Sequence, residues 1–375
     1  MSPQAAMGDI LTKMADMFNG EEASYCIVGC GLPGRGMGWF HGLQLVNGDI
    51  GKAKLTDVVE PWFLGGGKDS PPGVEFQKLV GEWGAKGVSF HAALDDGSVF
   101  GKVSSGPKVC LIAGRTPDNP KFFRQAIAAG ATHILLEKPG APTVGELEEM
   151  AALAKEKGVP VFMGFIKNIS DYVEGALAAA AAAPKGADVE TLLVSRNDYT
   201  KDNLGECFSR NSEGMLKNMA IHEIALACQF WGMRSTNVTD VQLNAEGCEM
   251  LTLGGFTDFS KIDFTLVNDQ GTKVRISSDR CAGDGCCAVV TDKASGSKLF
   301  EAEMVGDERA KDVAKQAAAH PDWFSYLYTQ EVEYAKLKSV CAAHALAKTT
   351  PPGVATIEIA IEALKLAEYL TPVLK

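Results

Sequence analysis

Three groups of residues in the chain have types and spacings suited to chemistry. The first is Gly29-Cys30-Gly31-Leu32-Pro33-Gly34, which follows the apolar run Tyr25-Cys26-Ile27-Val28. In a Gly-x-Gly-x-x-Gly turn the first glycine permits a tight turn. The second lets the backbone approach a diphosphate, and the third lets the next helix pack closely on the strand. Free N–H groups at that helix N-terminus favour an anion. Glu60 ends the next apolar run, where an acid can hold ribose hydroxyls and repel a 2′-phosphate. The second group is Glu137-Lys138-Pro139, directly after a further apolar run. A lysine there can stabilise negative charge developing on an oxygen. The third is Asn218 and His222. Read as one helix over 214–226, a spacing of four puts both on one face. An imidazole titrating near neutrality suits proton transfer to or from an alcohol.

The elements that must position these groups follow from hydrophobic period. Short apolar runs at 24–28, 54–59, 108–113, 132–136 and 159–163 read as buried strands. Helical patterns lie between them, after Gly34 and at 120–129 and 144–157. Strands alternating with helices imply a doubly wound parallel sheet, whose ligands sit off the carboxyl ends of its strands. Residues 62–73, rich in Gly and Pro, read as a loop. From Val189 onward the period becomes two. Lys261-Ile262-Asp263-Phe264-Thr265-Leu266 alternates strictly, and further runs occur at 190–195, 238–244, 287–291 and 298–302. Short polar turns between them imply an antiparallel sheet. Residues 1–22 read as an amphipathic lead-in helix and 354–370 as a closing one.

The chain of 375 residues, 46% apolar and 22% charged, can build a core and suits two domains. Its net charge of −11 argues against nucleic acid and anionic membrane surfaces as partners. Its longest unbroken apolar run, 176–183, is too short to span a bilayer. Ten cysteines without a Cys-x-x-Cys pair read as reduced buried thiols, with no metal site expected and a cytoplasmic location.

On these residues the chain resembles the glucose–fructose oxidoreductase / inositol dehydrogenase / rhizopine catabolism (Gfo/Idh/MocA) family. The resemblance rests on Ile27-Val28-Gly29-Cys30-Gly31 with Gly34, on the run Gly130-Ala131 through Glu137-Lys138-Pro139, and on the His222 helix ending in Phe230-Trp231-Gly232. It implies a Rossmann domain at 23–166 and a second domain at 167–375 with a large open antiparallel sheet for substrate and oligomer contacts. The final helix would return to the first domain. It implies an NAD(P)-dependent dehydrogenase or reductase of a small polar alcohol or carbonyl, with NAD as cofactor (NADP possible), acting as a homo-oligomeric dimer or tetramer.

By position, the family's catalytic lysine falls on Lys138 and its histidine on His222. The aspartates usual four residues before and three after that histidine are replaced by Asn218 and Ala225. Asn218 would then orient the ring without supplying charge. The expected cofactor contacts are Gly29, Gly31, Leu32, Pro33, Gly34, Glu60, Thr116, Pro117, Asn119, Glu137 and Lys138. The expected substrate contacts are Lys167, Asn168, Tyr199, Asn218 and His222, beside a polar region around Arg210 and 320–323. Two other functions use the same residues. One is a cofactor-binding regulator that has lost the chemistry, and the other is a glycoside hydrolase that uses NAD transiently.

Overall fold

The structure, a computed structural model, describes residues 21–94, 97–103, 105–348 and 353–374. The expected lead-in helix therefore lies, except for its last two residues, outside the described residues. Internal contacts divide the chain into two units. The first comprises Met1–Ala141, Gly145–Gly164 and Tyr334–Ile357, and the second Pro142–Val144, Phe165–Glu333 and Glu358–Lys375.

In the first unit β1 (Ala23–Val28), α1 (Met37–Asn47), β2 (Ala53–Val59), α2 (Pro71–Ala85) and β3 (Ser89–His91) follow in order. They are succeeded by β4 (Lys108–Ile112), α3 (Asn119–Ala128), β5 (His133–Leu136), α4 (Val144–Lys157) and β6 (Val161–Met163). The six strands form one sheet in the order β3-β2-β1-β4-β5-β6, with every pair parallel. Strands covered on both faces need continuous apolar sequence. β1 and β5 accordingly are buried at every residue. The order reverses between β1 and β4, and such a reversal opens a crevice at the carboxyl ends of the strands. The segment read as a loop at 62–73 ends inside α2. Ser70 caps that helix by accepting from the Gly73 N–H at 3.2 Å, and Pro71 and Pro72 occupy its first turn.

The second unit contains α5 (Asp171–Ala181), β7 (Val189–Asp198), α6 (Leu204–Arg210), α7 (Met215–Asn218), α8 (Ile221–Phe230), β8 (Val238–Leu243) and β9 (Glu249–Leu253). The chain continues through β10 (Phe256–Asn268), β11 (Lys273–Asp279), β12 (Cys281–Asp292), β13 (Ser297–Glu303), α9 (Asp307–Ala319) and α10 (Tyr326–Thr329). Two long helices follow, α11 (Glu331–Ala347), whose residues from Tyr334 on belong to the first unit, and α12 (Ile357–Leu374). The sheet order is β13-β12-β7-β11-β10-β8, with β9 on β10.

The expected antiparallel sheet is in fact mixed, because β11 runs parallel to β7. Although β11 and β12 are separated by one residue, they are not neighbours. β7 lies between them and pairs with both. Arg280 makes the crossing. Fully buried, it donates to Asp258 Oδ2 at 2.8 Å and to the Phe259 carbonyl at 3.2 Å. Its own carbonyl accepts from the Tyr199 N–H at 2.9 Å. Sequence period alone cannot report an inserted strand, since alternation is the same in either direction.

Candidate active site

The turn after β1 is built from glycines. Gly29, Gly31 and Gly34 have φ of +81°, +72° and +72°, the left-handed region that side chains disfavour. A Cβ at Gly29 would stand 2.6 Å from the Gly114 Cα. The job expected of Gly34, close packing of helix on strand, falls elsewhere. α1 begins at Met37, and Cβ atoms at Gly36 and Gly38 would stand 2.6 Å from the Cys30 carbonyl oxygen and 2.2 Å from that of Gly29. The Leu32 carbonyl closes the turn by accepting from Gly36 at 2.8 Å and Arg35 at 3.2 Å. No side chain caps α1. Glu60 is buried beside this turn. It accepts from the Gly31 N–H at 3.0 Å and the Trp62 N–H at 3.2 Å. Burial, with Glu60 nearby, pushes the Cys30 thiol well above the ordinary cysteine value. The turn is thus backbone-lined and carries one carboxylate, and its shape fits a diphosphate with an adjoining ribose.

Two further turns leave the same sheet. Thr116 and Pro117 form a short 3-10 turn after β4. Asn119 is buried, and its amide donates to the Gly140 carbonyl at 3.1 Å. That bond ties the turn after β4 to the one after β5, so Asn119 shapes the site from beneath. Glu137 and the half-buried Lys138 follow β5, with Lys138-Pro139 in a cis peptide. The Glu137 carboxylate faces inward, with Oε1 2.9 Å from His41 Nε2.

The second unit holds the remaining expected residues. His222 is the second residue of α8, 8% exposed, with its ring edge-on to Phe165 at 5.7 Å. The single helix expected over 214–226 is two. α7 ends at Asn218 and α8 starts at Ile221, with Met219 and Ala220 between them. Asn218 Nδ2 donates to Asn211 Oδ1 at 3.0 Å and Glu213 Oε1 at 3.1 Å.

Lys167 and Asn168 lie in a buried 3-10 turn, Ile166–Ile169. Asn168 Nδ2 donates to Gln229 Oε1 at 2.8 Å. The Lys167 ammonium is bonded to Glu223 Oε1. Burial alone would pull that ammonium down, but Cys286 and Glu223 beside it hold it above the ordinary lysine value. Burial pushes Cys286 up to about 11, so at neutral pH it is a thiol and Glu223 supplies the compensating charge. Lys167 and the Asn168 amide nitrogen thus both reach α8, the helix that carries His222, while the buried Asn168 Oδ1 has no hydrogen-bond partner among the described residues. Tyr199, just past β7, accepts from Arg210 Nη2 at 2.5 Å, and the Arg210 guanidinium lies 5.8 Å from the Phe324 ring. His320 and Trp323 stack at 3.9 Å.

Sequence reasoning passed over Glu223, His41, Gly36 and Gly38. An acid inside the apolar run Ile221–Cys228, and a histidine beside Trp39 and Phe40, were signals that could have found the first two. Buried ionisable groups need partners. Among the described residues no group of His, Cys, Asp and Glu side chains is arranged to hold a metal, and no helix is long and apolar enough to cross a membrane.

Comparison with known proteins agrees with this geometry. Residues 77–165 match the oxidoreductase family with an NAD-binding Rossmann fold, GFO_IDH_MocA. Scyllo-inositol dehydrogenase from Lactobacillus casei, solved with NAD(H) and scyllo-inositol, is similar in fold at a TM-score of 0.68 and 14% identity, over 94% of this chain and 96% of that one. Myo-inositol dehydrogenase from Corynebacterium glutamicum gives 0.64 and 17%, over 92% and 95%. Myo-inositol 2-dehydrogenase from Lactobacillus plantarum gives 0.65 and 17%, over 93% and 96%. No curated protein matches the chain. The six-stranded order and the matched segment through Glu137-Lys138-Pro139 agree on an NAD-binding Rossmann fold for the first unit, similar to that of the Gfo/Idh/MocA oxidoreductases, and the solved structures share the fold of the chain.

Proposed function

We propose that the protein is an NAD-dependent dehydrogenase or reductase of a small polyhydroxylated alcohol or its ketone. One observation carries this reading. The glycine turn after β1 is pinned to Glu60 by the Gly31 N–H, and a carboxylate beside such a turn favours the ribose hydroxyls of NAD over the phosphate of NADP. When bound, NAD supplies the hydride chemistry. The turn around Gly29, Gly31, Leu32, Pro33 and Gly34 holds its diphosphate. Thr116 and Pro117 flank the nicotinamide side, and Asn119 fixes the loop behind them.

Lys138 places positive charge at the substrate oxygen, and His222 takes or returns the hydroxyl proton. Asn218 has no charge to lend the imidazole. Lys167 and Asn168 brace α8 through Glu223 and Gln229, and the unpartnered Asn168 Oδ1 is left to face a substrate hydroxyl. Tyr199 and Arg210 offer hydroxylated ligands a polar edge. The solved inositol dehydrogenases suggest cyclitols and sugars as the first substrates to try. The exposed apolar residues Leu243, Met250 and Phe256 on β8, β9 and β10 support a homo-oligomer, which light scattering would detect.

The test combines fluorescence titration with NADH and NADPH and an absorbance screen for NADH formation with inositols and sugars. Uptake of NADH with turnover supports the reading. Uptake without turnover on any polyol, ketone or glycoside would instead indicate a regulator. Glycoside cleavage without net NADH would indicate the hydrolase. Absence of NADH uptake at millimolar concentration would remove the proposal.

A further inference from the structure

Behind Glu137 runs a buried chain of polar groups that the proposed reaction leaves unused. His41, on α1, is fully buried, and so is Lys338, on α11. His41 Nε2 lies 2.9 Å from Glu137 Oε1, and His41 Nδ1 lies 2.9 Å from Lys338 Nζ. Lys338 Nζ also reaches Gln44 Oε1 at 2.6 Å and the Tyr334 carbonyl at 2.9 Å. An ammonium carries three N–H donors and no acceptor. Here it meets three acceptors, so His41 Nδ1 must accept. The ring proton then sits on Nε2 and is donated to the Glu137 carboxylate. On its other side that carboxylate is closed in by Gly164, where a Cβ would stand 2.7 Å from it.

The charged and titratable groups facing this pair are Glu137, Asp49, Cys341, Tyr25 and Tyr334. Tyr25 donates its hydroxyl to the Lys338 carbonyl at 2.8 Å, and the Tyr334 ring lies edge-on to His41 at 5.2 Å. Burial and the Lys338 charge push His41 down to about 4, so its ring is neutral near neutrality. Burial pulls Lys338 down to about 7, against the opposing pull of Glu137, Cys341 and Asp49.

We infer that His41 and Lys338 are positioning residues that hold the Glu137 carboxylate, and through it the Lys138-Pro139 turn, in one orientation, and that this hold is released when Lys338 gives up its proton. A neutral amine can accept from Nδ1–H. The imidazole proton can then move to Nδ1, which leaves a lone pair at Nε2 facing the carboxylate. The effect on turnover rests on the proposed oxidoreductase reading. The tautomer and its titration do not.

The experiment uses the full-length chain with 15N-labelled histidine. The chain has six histidines, and His41 is assigned by its contact with the Tyr334 ring. At about pH 6 the expected His41 ring is neutral with its proton on Nε2. Its Nδ1 resonance should move with a midpoint near the Lys338 value of about 7, and that movement should vanish in Lys338→Met. In parallel, His41→Leu should weaken NADH binding or lower kcat roughly tenfold or more. His41→Gln, whose amide can still donate to Glu137, should restore most of the loss.

A charged His41 ring at about pH 6, a proton on Nδ1, or a resonance that does not move overturns the inference, and the wild-type titration decides this even if the variants fail to fold. A folded His41→Leu with unchanged NADH affinity and unchanged kcat–pH profile also overturns it. The expected tautomer and titration in a protein that takes up no NADH would keep the Glu137 hold and reject the oxidoreductase reading.

Discussion

The Gly31 N–H donates to Glu60 Oε2 at 3.0 Å, so the acid just after β2 is fastened to the loop that follows β1. Glu60→Ala loses both that anchor and the proposed ribose partner. A hydrogen bond to a charged group contributes about 1.5–3 kcal/mol, so NADH affinity should fall roughly 10- to 100-fold and the preference over NADPH should narrow. Parallel titrations with both nucleotides check this. An unchanged preference would remove the ribose role.

Lys138→Ala removes the positive charge expected at the reacting oxygen. Loss of one such donor typically lowers turnover about 10²- to 10³-fold. NADH affinity should stay within a few-fold, because the diphosphate turn is untouched. Steady-state rates with calorimetry separate the two effects, and undiminished turnover would exclude Lys138 from the chemistry.

Gly38→Ala places a methyl 2.2 Å from the Gly29 carbonyl oxygen and 2.8 Å from the Cys30 Cα. Both are backbone atoms with nowhere to retreat, and overpacking of this kind costs about 1–3 kcal/mol or more. Urea unfolding should show a lower midpoint with a similar slope, and NADH affinity should fall with it. A midpoint equal to that of the wild type would mean that α1 can slide on β1.

Glu223→Gln leaves the buried Lys167 ammonium without its carboxylate. Removing one partner of a buried pair costs about 3–5 kcal/mol, and the double variant Lys167→Met, Glu223→Leu should recover most of it. Lys167 is held above its ordinary value, so its contribution is present at neutral pH and fades only at pH above the unfolded value of ~10.4. Urea unfolding of the single and double variants at neutral pH checks this, and a Glu223→Gln midpoint equal to that of the wild type would remove the pair's role.

His41 titrates at about 4 in the folded chain against ~6.5 when unfolded. Between those values the unfolded chain binds a proton that the folded ring refuses. Stability should accordingly fall by up to about 3 kcal/mol as pH drops through that window. His41→Gln should flatten this part of the urea-derived stability profile. An equally steep acid limb in the variant would place the titration elsewhere.

The parallel sheet was legible because β1, β4 and β5 are short apolar runs that alternate with helical patterns, and the glycine turn because Gly29 and Gly31 come straight after one of them. The distribution of work within the turn was not. Three glycines at the expected spacing concealed that Gly36 and Gly38, outside the pattern, carry the close packing. Asn218 and His222 were identified as candidates, but periodicity could not show the break at Met219-Ala220, since both residues tolerate a helix. The partners of the expected substrate residues were hidden for a related reason. Only tertiary packing reveals that Lys167 meets Glu223 and that the Asn168 amide nitrogen meets Gln229. The mixed second sheet was hidden because alternation is the same for parallel and antiparallel strands, so the insertion of β7 between β11 and β12 leaves no mark on the period.

The helix bearing Lys338 also has a bearing on biogenesis. His41 and Gln44 emerge from the ribosome early, but their buried partner arrives some three hundred residues later, after every strand of the second sheet. A nascent Rossmann half therefore waits with an open seam, and an excised fragment ending before Tyr334 would expose that seam permanently.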